Sequence, residues 1–316
     1  MSNAQSGIAA IVGACLIWGC SPIFYKLLAH IPAQDVLAHR TLWSLVFFAG
    51  VLALRGRLGE LGVAMRNGRN LRMIAMATIL ISINWYLFIL ATQIGRNMET
   101  SLGYYMLPLV AVLIGRVWFN ERLRPAQWFA VALAAVAVAL LGRGLGEFPW
   151  ISLVLAISFS LYGVIKKMLP LGPIVSVTCE VLVFLPVSLV LLAIAQTSGQ
   201  GAFAATWQDN LLLIASGPIT AMPLILFSVA AQRIAMSTVG VLLYINPTLQ
   251  FLSAVVLFNE AFTMWHAVAF ALIWVALAIY SMSLLRQDKA SRRVAMAASG
   301  VSTTSRNSNS DGSANP

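Results

Sequence analysis

Charge is scarce in this chain: 9% of its 316 residues are Asp, Glu, Lys or Arg, where soluble domains carry about 25%. Only ten residues are acidic, and histidine and cysteine are rarer still, at three each. His30, His39 and His266 fall into no His-Glu-x-x-His pattern, and neither an Asp-x-x-Asp carboxylate pair nor a glycine-rich phosphate loop is written. These shortages disfavour an enzyme, so no catalytic residue, no metal and no cofactor is expected. Cys15, Cys20 and Cys179 lie in apolar stretches with no second Cys or His at ligand spacing, and they read as small packing residues.

What is abundant is apolar: 60% of the residues are hydrophobic and mean hydropathy is +0.86. A helix crossing roughly 30 Å of hydrocarbon needs about 20 mostly apolar residues. Ten stretches approach that length: 7–28, 35–54, 72–90, 98–119, 126–142, 150–168, 173–195, 210–230, 238–258 and 264–285. The runs are continuous, whereas barrel strands alternate, so the expected fold is an all-α membrane protein of ten transmembrane helices. No basic region precedes the first run and no small-residue cleavage site follows it, so that segment is expected to be a retained helix.

The formal charge of +10 raises the question of nucleic acid, which the placement of the basic residues answers. With the N-terminus taken as cytoplasmic, 16 of the 20 Lys and Arg fall on that side, leaving Lys26, Arg40, Arg96 and Arg143 on the other. This asymmetry is the positive-inside signature, so both termini are expected in the cytoplasm, with the lipid bilayer as partner and no nucleic acid.

Residues 91–139 slide onto 230–278 without a gap, matching Gln93 with Gln232, Tyr105 with Tyr244, Pro108 with Pro247 and Phe119-Asn120-Glu121 with Phe258-Asn259-Glu260. The polar and proline matches in one register indicate an internal repeat. Five helices per repeat is odd, so the copies are inverted, an arrangement transporters use to place a site between their halves. The resulting division is a short cytoplasmic N-terminus (1–6), repeats over 7–142 and 143–285, and a Ser/Asn-rich basic tail (286–316) expected to be disordered near anionic lipid.

Ionisable groups inside a membrane helix are functional candidates. Most acids lie at segment ends, Glu121 and Glu260 among them, leaving Glu99 just inside the fourth helix and Glu180 roughly 10 Å into the seventh. Glu180 is a candidate for proton or substrate coupling, against a hydrogen-bonded packing role. Glu99 sits equally well as a helix N-terminal charge. Lys26, His39 and Arg40 lie on the Glu99 side; snorkelling accounts for Lys26, and Arg40 is expected to pair with Glu99 or line a cavity. Asn84, Trp85, Tyr104, Tyr105, Tyr244, Asn246 and Gln250 describe a polar path for a small-molecule substrate, each alternatively an interhelical hydrogen bond. Pro108, Pro247, Pro218 and Pro223 are hinge candidates or static kinks.

The segments "IWGCSPIFYKLLAHIPAQDVLAHR", "INWYLFILATQIGRNMETSLGYYMLPLV", "NERLRPAQWFAVALA" and "LLYINPTLQFL" resemble the RarD branch of the EamA family, within the drug/metabolite transporter superfamily. The resemblance covers roughly residues 7–285 and implies two five-helix EamA repeats in the inner membrane. It also implies a permease, with chloramphenicol a substrate proposed for the branch. The branch reads Asn-Pro in both repeats, but here Leu107 precedes Pro108 while Asn246 precedes Pro247, so a role for that Asn carries over to Asn246 alone. The expected function is secondary-active export of small organic metabolites or drugs, by a monomer or homodimer. A non-transporting receptor or assembly protein is the alternative.

Overall fold

A computed structural model of the chain describes residues 3–118, 123–199, 206–234, 236–283 and 286. Ten helices in it are long and apolar enough to cross a membrane. They begin with α1 (Asn3–Leu27) and α2 (Ala33–Leu54), after which a short α3 (Gly59–Arg66) precedes α4 (Gly68–Gln93) and α5 (Asn97–Trp118). Next come α6 (Pro125–Leu145), α7 (Trp150–Met168), α8 (Pro173–Thr197) and α9 (Trp207–Arg233). The ninth span, Thr238–Leu257, is built from α10 (Met236–Leu242), α11 (Ile245–Leu252) and a π-helical turn, Ser253–Leu257; α12 (Met264–Ser283) is the tenth. No strand occurs among the described residues.

Helix ends follow local chemistry. Pro125 and Pro173 open α6 and α8, where a missing N–H loses nothing. The Asn67 side chain accepts hydrogen bonds from the Arg69 and Asn70 amides at the head of α4. Gly146, at φ +70°, ends α6 in the left-handed region.

The ten spans match the expected ones to within a few residues, with two differences. The stretch after α2, expected to be a connection, contains α3, whose eight residues are too few to cross a bilayer; it buries Ala64 in a cluster with Leu52 and Ile74. The ninth span is broken at Leu243–Tyr244 where a continuous helix is expected. Pro247 has no N–H for the Leu243 carbonyl, which takes the Asn246 amide instead at 3.1 Å. Pro108, its repeat counterpart, sits inside an unbroken α5.

The motif Phe258-Asn259-Glu260 ends this span. The Phe258 amide closes the π turn on the Ser253 carbonyl at 2.9 Å, and Asn259 adopts φ 51°, a left-handed conformation that Asn tolerates. Its counterpart Phe119-Asn120-Glu121 lies outside the described residues, as do Met1, Ser2 and the tail from 287 onward.

The halves interleave. α1 packs on α9 and α11, α2 on α8 and α9, α4 on α7 and α8, and α5 on α7 and α11. Exchanging first-half spans for their second-half equivalents maps this set of contacts onto itself. Close approach uses glycine: a Cβ on Gly19 would sit 2.6 Å from Leu249 Cβ, and one on Gly103 would sit 2.7 Å from the Ser152 carbonyl oxygen. Outward faces stay apolar, with Leu54 92% and Val117 81% exposed, as a lipid-facing surface requires.

Candidate functional site

Where the interleaved helices meet, side chains from both halves enclose a cavity of about 260 Å³, near the lower end of the roughly 300–1,000 Å³ typical of ligand clefts. α1 contributes Trp18, Ser21 and Tyr25, α2 contributes Arg40, and α4 contributes Trp85 and Phe88. Tyr104 and Pro108 come from α5, Phe159 and Tyr162 from α7, and Thr220 from α9. The broken ninth span adds Tyr244, Asn246, Pro247 and Gln250. The walls are therefore aromatic with a few neutral polar groups, and Arg40 is the one charged residue among those lining it.

Arg40 is 7% exposed, and its Nε has no hydrogen-bond partner. Its guanidinium carbon stands 4.1 Å from the Trp85 ring centroid and 5.7 Å from that of Tyr25. A cation over an aromatic face gains about 0.5–2 kcal/mol, whereas removing an ion from water costs several kcal/mol. The expected pair with Glu99 is not formed, because a nearer base on the same turn takes the acid: Arg96 Nε donates to Glu99 Oε1 at 2.5 Å. The aromatic rings thus hold Arg40 without neutralising it.

Of the other residues expected on a polar path, Trp85, Tyr104, Tyr244, Asn246 and Gln250 line the cavity; Lys26, His39, Asn84, Glu99, Tyr105 and Glu180 do not. Asn84 is fully buried and tied into the helix packing: its amide donates to the Leu155 carbonyl at 3.0 Å and to Ser158 Oγ at 3.1 Å, while Oδ1 accepts from the Tyr104 hydroxyl. Tyr105 bonds Thr248 at 2.6 Å and stacks on Tyr244. Gln250 donates to Asn246 Oδ1 at 2.9 Å, so the two amides in the cavity wall orient one another. His39 is buried on α2 outside the lining. Of the four prolines, Pro108 and Pro247 line the cavity; Pro218 and Pro223, both within α9, do not.

Glu180 is 1% exposed and carries a complete set of partners. Lys166 Nζ reaches Oε1 at 2.7 Å, Ser176 Oγ donates to the same oxygen at 2.9 Å, and the Tyr162 hydroxyl donates to Oε2 at 3.0 Å. Lys166 also bonds Ser176. Tyr162 lines the cavity, so the ion pair abuts the cavity wall through one phenol. Sequence reasoning counted Lys166 only as an orientation charge. The signal for its second role was the prolines at 170 and 173, which turn α7 back into α8 and bring residues fourteen apart side by side.

The end of the bundle that carries the α1–α2 turn is stitched by polar contacts between halves. Glu260 Oε1 accepts from the Asn97 amide at 2.7 Å and from its side chain at 2.8 Å, and Oε2 accepts from the Met98 amide at 2.9 Å. A carboxylate of the second half thereby caps the N-terminus of α5 in the first, where orphan amides and the helix dipole both favour it. Arg96 adds a 3.2 Å contact to Glu147 and His30 meets Asp209 at 2.9 Å, while within the first half Lys26 Nζ donates to the Gln93 carbonyl at 3.4 Å. At the opposite end, outside the spans, the Arg57 hydrogen bond holds the exposed Glu60 carboxyl below its ordinary range.

Comparison with known proteins gives this architecture a family. The model of the EamA-like transporter family matches residues 5–143. Protein RarD of Streptomyces exfoliatus is 44% identical over 91% of this chain and 92% of its own length. An uncharacterized transporter of Vibrio cholerae is 37% identical over 92% and 97% respectively, and the chloramphenicol-sensitive protein RarD of Pseudomonas aeruginosa is 31% identical over 91% and 98%. A solved crystal structure sharing 20% identity superposes with a TM-score of 0.57 over 90% of this chain and 99% of its own, a likeness of fold alone. With ten spans, two repeats and relatives matched along nearly their whole length, the chain belongs to the EamA-like transporter family, in its RarD branch.

Proposed function

We propose that the chain is a secondary-active exporter in a bacterial inner membrane, with both termini cytoplasmic. It moves small organic metabolites or drugs through the central cavity by alternating access. The observation that carries this reading is the cavity itself: both inverted halves supply its walls, so a rocking motion of one against the other changes which end is open. The α1–α2 end is tied by Glu260 on α5, and those bonds must release in each cycle. The relative in Pseudomonas aeruginosa is named for chloramphenicol, and a compound of that kind falls within the proposed class.

No nucleotide-binding motif is present, so an ion or solute gradient drives the cycle. A proton is the proposed ion and Glu180 its carrier: protonation removes the charge that holds Lys166, and Tyr162 links that event to the cavity wall. Reconstituted vesicles test the proposal. Substrate-dependent counterflow across a screen of metabolites and antibiotics is expected, whereas a receptor or assembly protein gives none. Equal flux by the wild type and Glu180→Gln across imposed pH gradients removes Glu180 from the coupling role.

A further inference from the structure

Arg40 is a buried cation that lines the cavity, and no anion among the described residues pairs with it. Each described acid is engaged elsewhere or faces elsewhere: Glu99 and Glu147 meet Arg96, Glu180 meets Lys166, Glu260 caps α5, Asp209 meets His30, and Glu60 meets Arg57. Asp35 lies on the same helix five residues earlier, a spacing that turns it away from Arg40. No ion pair or hydrogen bond joins Arg40 to any described residue; it has only the faces of Trp85 and Tyr25.

From this geometry we infer that the cavity binds a monocarboxylate with an aromatic or branched apolar body, its carboxylate on the Arg40 guanidinium and its body against Trp85, Phe88 and Phe159. The inference deepens the transport reading and takes its meaning from it. Three features set the class. A guanidinium donates two parallel N–H bonds that match a carboxylate, and in a water-poor cavity that pairing is strong. A single positive charge neutralises one negative charge, so a phosphate monoester near −2 leaves an uncompensated anion in apolar walls. The lining contains no acid to receive an ammonium, which argues against a zwitterionic amino acid. The rings around the guanidinium hold it in place while leaving its donors for the ligand.

The test holds the ring constant and varies the head. Purified full-length protein in detergent is titrated with millimolar phenylacetate, 2-phenylethanol, phenethylamine, phenylalanine and phenyl phosphate, and thermal stability and tryptophan fluorescence are followed. Phenylacetate is expected to raise the melting temperature and perturb Trp85, at least tenfold more tightly than the other four. Arg40→Gln should lose that preference at least tenfold while its unliganded melting temperature stays close to wild type. If Arg40→Gln does not yield folded protein, Arg40→Lys carries the test: it keeps the charge without the fork, so binding weakens but carboxylate remains preferred over alcohol.

The inference is overturned if the alcohol, amine, amino acid or phosphate binds as well as phenylacetate, or if Arg40→Gln binds phenylacetate unchanged. It is overturned equally if neither phenylacetate nor its indole and branched aliphatic analogues stabilise the wild type. Binding in detergent requires no transport, so absent counterflow with intact binding sinks the transport reading alone, and counterflow of neutral compounds only sinks this inference alone.

Discussion

At the scale of single residues, the informative groups are charges that the membrane forces into partnership. Lys166 and Glu180 make the clearest case, because neither can be removed alone without leaving the other in apolar surroundings. Lys166→Met is expected to destabilise by about 3 kcal/mol, toward the low end for a buried pair since Lys166 is 21% exposed. The double variant Lys166→Met/Glu180→Gln should recover most of that loss, and denaturation of both proteins in matched detergent measures the difference. Glu260 invites a parallel experiment: Glu260→Ala strands the Asn97 and Met98 amides and should cost about 2 kcal/mol, with Glu260→Gln in between. Depth in the sequence made Glu180 and Arg40 legible, since an ionisable residue amid apolar ones is rare whatever its partner. Their partners were not legible. Lys166 resembled an ordinary positive-inside charge, and the work of Glu260 depends on a contact between residues 163 apart. Asn84 shows the converse, for its burial was readable but its amide is spent holding α4 to α7.

At the scale of elements, hydropathy runs recovered every span because twenty apolar residues leave the bilayer one solution, a helix with all its backbone bonds internal. It did not recover α3, too short to register, or the break in the ninth span. Matching prolines suggested matching kinks, but Pro108 and Pro247 differ in effect: one leaves its helix whole and the other accompanies a two-residue interruption beside the cavity. The close contacts between elements give a paired test. Gly103→Ala drives a Cβ to 2.7 Å from the backbone of Ser152, which cannot rotate away, so α5 and α7 must part at a cost of about 1–3 kcal/mol. Gly163, on an open face of α7 with nothing within 4 Å, is the control. Gly163→Ala should be neutral or stabilise by up to about 1 kcal/mol through helix propensity, and a thermal melt of the two variants reads both signs at once.

At the scale of the whole molecule, inversion is what turns a repeat into a cavity. Five spans per half place the second copy upside down, and the pairing of α1 with α9 and α4 with α7 closes the halves around a shared axis instead of leaving two lobes. The same parity fixes topology, because every second turn must lie on one face. The α6–α7 turn and the α7–α8 turn are successive, so they emerge on opposite sides, and the orientation proposed above puts the first outside the cell membrane. In a background with Cys15, Cys20 and Cys179 replaced, a cysteine at Glu147, whose side chain is 72% exposed, is expected to react with a membrane-impermeant maleimide in intact cells. A cysteine at Pro170, exposed in the next turn, should react only after permeabilisation. Labelling of both in intact cells breaks the odd-helix inversion, and labelling of Pro170→Cys alone reverses the orientation while leaving the inversion intact, so the two parts of the argument stand or fall separately.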